Sequence, residues 1–561
     1  MKTLTSSPLI LIIALFAMAE SAYGSTQPPD VVNSDGYENT AMGTNALLNL
    51  TPSDSSGSWN TGSGYQALQS NTTGYDNTAS GANALESNTT GDFNTAAGTF
   101  ALSTNRTGSA NSAFGASALG FNTAGGYNTA SGVNALYMNT GGSYNSASGY
   151  GALFRNDANS NTAFGYEALY SNTSGNSNTA SGYVALYSNT TGSYNTASGW
   201  NALNANTTGA ANAASGANAL ASNTSGYNNT ASGYGALATN STGYNNTASG
   251  YAALFFNTTG NDNTAFGYGA LNANTTGAAN AASGANALPS NTIGDYNTAS
   301  GVNALYSNTI ADYNTASGFG ALYSNNGNSN TASGYEALYA NTSGTQNTAT
   351  GLHALASNTT GSNNIAEGYH GGYNLTTGSN NIDIGNVGVA GEGGAIRIGT
   401  TSTQTAAYIA GISTAKVTGS AVYVTSAGQL GVLASSERYK TAIAPMGSDT
   451  EKLAQLRPVS FKIKTDPAGT RQYGLIAEEV AKVYPELVIR DASGRIDGVR
   501  YEELAPILLN EVQQQQQRIA AQAAQMSELK EQQRRDSQRQ LAQLNDLKQE
   551  LHAALGMPVA R

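Results

Sequence analysis

No cysteine occurs among the 561 residues, which excludes disulfides and thiolate zinc sites as sources of stability. Histidine is almost as scarce. His353, His370 and His552 are scattered, with no carboxylate pair or cysteine cluster beside them, and each reads as a surface residue. No metal and no cofactor is expected, and a secreted glycosidase lacks its paired carboxylates. Charged residues make up only 10% of the chain, and 18 of the 23 lysines and arginines lie in 435–561. Residues 25–434 carry 4 basic and 16 acidic side chains, a net charge near −12 that makes nucleic acid and anionic membrane poor partners. Long apolar runs are missing beyond residue 24, since no stretch reaches the roughly 20 residues of a membrane helix. The glycines at 391, 393 and 394 do not precede a helical pattern, so a phosphate loop is not expected.

The amino terminus reads as an export signal. Lys2 is followed by an apolar run over 9–19 and then by small residues, with Ala22-Tyr23-Gly24 as the cleavage point. The expectation is a signal peptide over 1–24, a linker over 25–38, and a mature chain that is secreted or held at the cell surface.

Asparagine, threonine, serine and glycine dominate residues 39–385, a composition shared with disordered chains. A fixed period argues against disorder. NTAFGYEALYSNTSGNS opens at Asn161, NTASGYVALYSNTTGSY at Asn178 and the next copy at Asn195; 21 such openings run from Asn39 to Asn381, mostly 17 residues apart. In the copy at Asn178 the retained apolar residues are Ala180, Ala185 and Leu186, few and mostly small. Gly182 and Gly192 sit at fixed offsets, where corners with positive φ are expected, and Asn and Thr-Gly pairs supply similar turns. No stretch sustains a 3.6-residue apolar period, so short strands alternating with turns are expected rather than helix. One coil of β-solenoid per copy gives strands about 4.8 Å apart, a rod on the order of 95 Å long, and ladders of Asn and Thr. So little apolar surface does not offset the ordering of a whole coil at roughly 1 kcal/mol or more per residue. Three chains packing their Ala-Leu edges together are therefore expected, with Tyr183, Tyr187 and Tyr194 lining the outside.

The repeat resembles the NxAxG-type head repeats of trimeric autotransporter adhesins over 39–385. That resemblance implies left-handed parallel β-rolls assembled in threes. The period here is longer than theirs, their Ala-Ile-Gly is mostly Ala-Ser-Gly, and no counterpart is expected of the membrane-anchor barrel segment with which they end.

Alternating strands over 395–398, 421–425 and 429–432, with a hairpin turn at Ser426-Ala427-Gly428, read as a β connector spanning 386–434. Beyond it come SSERYK at 435–440, LRPVSFKIK at 456–464, YGLIAEEVAKVYPELV at 473–488 and VRYEELAPILLNEV at 499–512. This ordered string resembles the self-cleaving intramolecular chaperone domain at the C-termini of phage tailspikes, endosialidases and tail fibres, with the domain assigned to 435–510. The resemblance implies cleavage between Ala434 and Ser435, with Ser435 as nucleophile and Lys440 as its base; the family usually has Asp where Ser436 stands. A serine hydroxyl needs a base to take its proton, and a lysine serves only if burial lowers its pKa. A spacing of five puts two residues about 140° apart on an α-helix, so Ser435 is expected on a turn or strand before any helix. Glu437 and Arg438 read as structural, pairing across subunits.

From Leu504 onward one long helix is expected, with Val512, Ile519 and Met526 seven apart and Leu544, Leu547 and Leu551 resuming the seam as a coiled coil over 511–561. Gln515, Gln522 and Gln533 weaken that seam. The whole reads as a mainly β, exported homotrimeric fibre, with an α+β chaperone domain that sets the register and then cuts itself off. An adhesin or appendage is the first expectation for the product; a phage-derived tail fibre and an ice- or surface-binding solenoid are the alternatives.

Overall fold

The computed structural model describes residues 33–556 apart from 54–55, 411–420, 426–427, 449, 465–466 and 492. The expected signal peptide over 1–24, and most of the expected linker, lie outside the described residues. Two compact units divide the chain at residue 407.

The first unit is a parallel β-solenoid. Each copy contributes one strand of three residues, and successive strands pair in parallel one period apart, as in Thr179↔Thr196, Ala180↔Ala197 and Ser181↔Ser198. The sheet has 23 strands. Its first, Asn33–Ser34, is antiparallel to Thr40–Met42 and covers the edge that the first coil would otherwise leave open. Its last is Ile396–Ile398, paired in parallel with Ile382–Ile384. The solenoid thus takes in the strand assigned above to the connector. With steps of about 4.8 Å the parallel stack is on the order of 100 Å long.

Coil-to-coil bonding extends well past the three strand residues. Leu186, Ser188 and Thr190 donate their N–H groups to the carbonyls of Ala202, Asn204 and Thr207 at 3.0, 3.0 and 2.9 Å. The backbone of each coil is in this way satisfied by its neighbours around most of the circuit.

The interior is narrow, which explains the small apolar side chains. Ala180, Ala185 and Leu186 are fully buried within a single chain. This corrects the expectation that the Ala-Leu edges stay open until three chains meet. The second half of the core is polar. Asn178 and Asn189 are also fully buried; both donate through Nδ2 to the carbonyl of Gly192, each at 2.9 Å. Asn189 also donates to Asn172 Oδ1 at 2.7 Å, and Asn178 Oδ1 accepts from the N–H of Asn195 at 2.9 Å. Two continuous amide ladders therefore run along the core, and satisfied buried amides replace the missing hydrocarbon.

The two glycines of the coil that opens at Asn178 do different jobs. Gly182 has φ +144°, as expected of a corner, but Gly192 is needed for space: a Cβ there would lie 2.2 Å from the carbonyl oxygen of Gly209. The left-handed corners fall instead on Val184, Leu186 and Tyr194, with φ of 49°, 53° and 61°. Such bulky residues adopt this conformation only when the surroundings hold them there.

Near its end the core changes character. The inward strand position held by Ala349 and Ala366 passes to Asp383 and then Arg397. Arg397 is held by Glu392 in a bidentate pair at 2.8 and 2.7 Å. Asp383 is buried with neither carboxylate oxygen hydrogen-bonded. Burial, reinforced by Glu392 and opposed by Arg397, pushes its carboxyl up to about 6. Tyrosines line the outside as expected: Tyr150, Tyr166 and Tyr183 stack in a row with ring centroids 5.4 and 5.3 Å apart.

The second unit is small and mixed. A hairpin pairs Tyr423–Val424 with Leu430–Gly431, shorter than the strands expected there, and its turn lies partly outside the described residues. Two further antiparallel pairs, Val459–Phe461 with Gln472–Gly474 and Val488–Arg490 with Ile496–Val499, flank helix α1 (Ala477–Val483). Val480, Tyr484, Leu487, Val488, Val499 and Ile507 form the core. Arg457 clamps Glu479 of α1 at 2.6 and 3.2 Å. Helix α2 (Tyr501–Ala554) has 54 residues, about 80 Å at 1.5 Å per residue. No helix among the described residues is long and apolar enough to cross a membrane.

Candidate functional site

Ser435 follows Ala434 in exposed, irregular chain, and Ser436 then opens a single 3-10 turn over Glu437–Tyr439. Lys440 closes that turn, its N–H donating to the carbonyl of Glu437 at 3.0 Å. The nucleophile candidate thus precedes the helical turn and the base candidate ends it, so the two share no helical face. Both side chains are exposed in the single chain, and no hydrogen bond joins them among the described residues. Arg438 lies over the ring of Tyr439 at 4.6 Å. Neither Glu437 nor Arg438 makes an ion pair within the chain among the described residues.

A groove opens in the same unit. Leu453, Leu456, Pro458, Val459, Leu475, Tyr501 and Leu504 line it. The Tyr501 hydroxyl accepts the N–H of Leu475 at 2.7 Å, tying the first turn of α2 to the strand pair. From there an apolar stripe continues along α2. Val512, Ile519 and Met526 are 49%, 63% and 56% exposed, and Leu544, Leu547 and Leu551 are exposed further on. One chain leaves these side chains without cover, although each would gain by burial.

Two features of the solenoid also bear on function. The Asn-Thr-Thr and Asn-Thr-Ser triplets that fit a glycosylation sequon place Asn71, Asn172 and Asn189 in the core ladder, fully buried. These asparagines serve the fold and are closed to modification once it forms. Two of the histidines are not scattered after all: His353 and His370 stand on neighbouring coils with ring nitrogens 3.2 Å apart. Their spacing of 17, the repeat period, was the signal available in the sequence.

Fold and site together define a repeat-built fibre chain with a small C-terminal accessory domain. Residues 435–489 match the model of the peptidase S74 family, described as chaperone of endosialidase. That match supports an intramolecular chaperone and, in general, self-cleaving serine peptidase activity. No curated protein and no solved structure matches the chain.

Proposed function

We propose that the chain is exported and forms a homotrimeric surface fibre, whose C-terminal domain assembles the trimer and is then released by cutting between Ala434 and Ser435. The observation that carries this reading is the uncovered apolar surface of the second unit, the groove and the stripe along α2, in the same unit as the matched segment. Association of three such helices along the heptad stripe buries what one chain exposes. It also offers a route to the chemistry. An exposed lysine is a poor base at neutral pH, and desolvation by neighbouring chains would favour its neutral form. Lys440 then takes the Ser435 hydroxyl proton, and the oxygen attacks the Ala434 carbonyl. The peptide nitrogen leaves with that proton, and water resolves the resulting ester.

A trimeriser at one end has a clear use. Identical coils could pair one period out of step with little penalty, and a terminal nucleus fixes the register. Its removal leaves the rod without its folding route, so persistence becomes kinetic. The product, about 25–434, presents the same outer rows many times over, as multivalent adhesion requires.

The experiment compares the full chain with Ser435→Ala on denaturing gels and by mass spectrometry. A fragment beginning at Ser435 from the parent alone supports the processing step; two intact trimers would make the domain a retained cap.

A second reading rests on a specific feature. Four successive strands present outward pairs, Thr298/Ser300, Thr315/Ser317, Thr331/Ser333 and Thr348/Thr350. Such hydroxyl rows favour a surface- or ice-binding role, although Phe114, Phe164 and Phe266 interrupt them elsewhere. An ice-recrystallisation assay on the solenoid product separates the two.

A further inference from the structure

Glu336, His353 and His370 are each one period apart, so three successive coils set them in one row on the turn that follows the corner glycine. His353 Nδ1 lies 3.2 Å from His370 Nε2, and the other ring nitrogen of His353 lies 3.1 Å from Glu336 Oε2. Aromatic rings restrict both imidazoles. His370 stacks on Tyr369 at 4.0 Å and on Tyr373 at 4.8 Å, while Tyr335 stands 5.6 Å from His353.

Two imidazole nitrogens bound to one tetrahedral ion at about 2.0–2.1 Å stand roughly 3.3 Å apart. The observed spacing is close to that. A carboxylate on the far nitrogen is also the partner that metal-ligating histidines use to fix their tautomer. Imidazole donors select zinc, nickel or copper, whereas calcium and magnesium prefer oxygen.

We propose that His353 and His370 bind one divalent transition-metal ion of the zinc, nickel or copper class, with Glu336 as a positioning residue. Among the described residues no group of three or more His, Asp or Glu side chains converges on one point. The pair therefore supplies two ligands, and the remaining positions are open to water or to a donor from another molecule. The site lies in the solenoid, upstream of Ala434, and is independent of the processing reading.

The backbone suggests suitable variants. His353 and His370 have φ of 57° and 54°, and Asn201, Asn218, Asn286 and Asn303 occupy the same place in other coils with φ between 50° and 60°. Asparagine is thus an accepted residue at this corner, so His353→Asn and His370→Asn keep the fold. The test is calorimetric titration of the untagged full chain with NiCl2 at neutral pH, with thermal unfolding to verify folding. One ion per chain is expected, lost in either histidine variant and retained in His552→Asn. Glu336→Gln is expected to weaken binding about 10-fold without changing stoichiometry. A parent that takes up no nickel at millimolar concentration, or a His353→Asn variant that binds as tightly as the parent, overturns the proposal and leaves a hydrogen-bonded stack only. Unchanged affinity in Glu336→Gln removes that residue's positioning role.

Discussion

Asp383→Ala should stabilise the end of the solenoid, by an amount that depends on pH. The substitution installs the residue that Ala349 and Ala366 place at the same inward position. In the unfolded chain this carboxyl ionises near 3.8, whereas the folded coil holds its proton up to about 6. A raised acid pKa means that the folded state disfavours the charge. The associated penalty is absent below the unfolded value, grows as pH rises through this window, and levels off above about 6. Two units at about 1.4 kcal/mol each make about 3 kcal/mol at neutral pH. Terminal coils of a repeat array open locally, so the effect is best read there, as a change of about 100-fold in the opening equilibrium. Hydrogen exchange of a peptide spanning 365–385, compared between parent and variant at the same pH, cancels the intrinsic rates. The variant should exchange about 100-fold more slowly at pH 7.5, with the difference shrinking below pH 6. A ratio independent of pH, or faster exchange in the variant at pH 7.5, refutes the reasoning and means that Arg397 already satisfies the carboxylate.

Gly192→Ala should break the stack locally, because its Cβ meets backbone at 2.2 Å; Gly431→Ala, with nothing within 4 Å, should be tolerated, and limited proteolysis distinguishes them. Asn189→Ala removes one rung of an amide ladder and takes a donor from the Gly192 carbonyl, and should destabilise by roughly 2–4 kcal/mol in denaturant unfolding. Ile519→Glu places charge on the exposed stripe of α2 and should abolish self-association in sedimentation experiments while leaving helix content unchanged; a variant that still associates shows that the stripe is not the interface.

The period made the fold legible, because a repeat of 17 residues with a small inward residue, nearly always Ala, at the centre of each strand specifies an in-register parallel stack without further information. What it hid was the division of labour inside a coil. Gly192 looks like a turn residue, yet it is required by the approach of the next coil's carbonyl. Val184 and Leu186 are poor candidates for left-handed backbone by their own preference, and only stacking against neighbours puts them there. The thin apolar set suggested exposed edges because the buried asparagines were not counted as core. The metal candidates were spaced by the period itself, but spacing acquires meaning only once coils are known to stack directly. At Ser435 the ordered motifs were readable, while the single chain leaves Ser435 and Lys440 exposed with no hydrogen bond between them among the described residues.

The uniform rung-to-rung bonding has a mechanical consequence. A load that pulls the end coil away from the stack meets only that coil's bonds to one neighbour, so the coils peel in succession. Each 17-residue coil that comes off gives up about 4.8 Å of rod and frees about 60 Å of extended chain. The stack is thus a tether with many sacrificial steps of nearly equal strength, lengthening under force while the coils that remain keep their register.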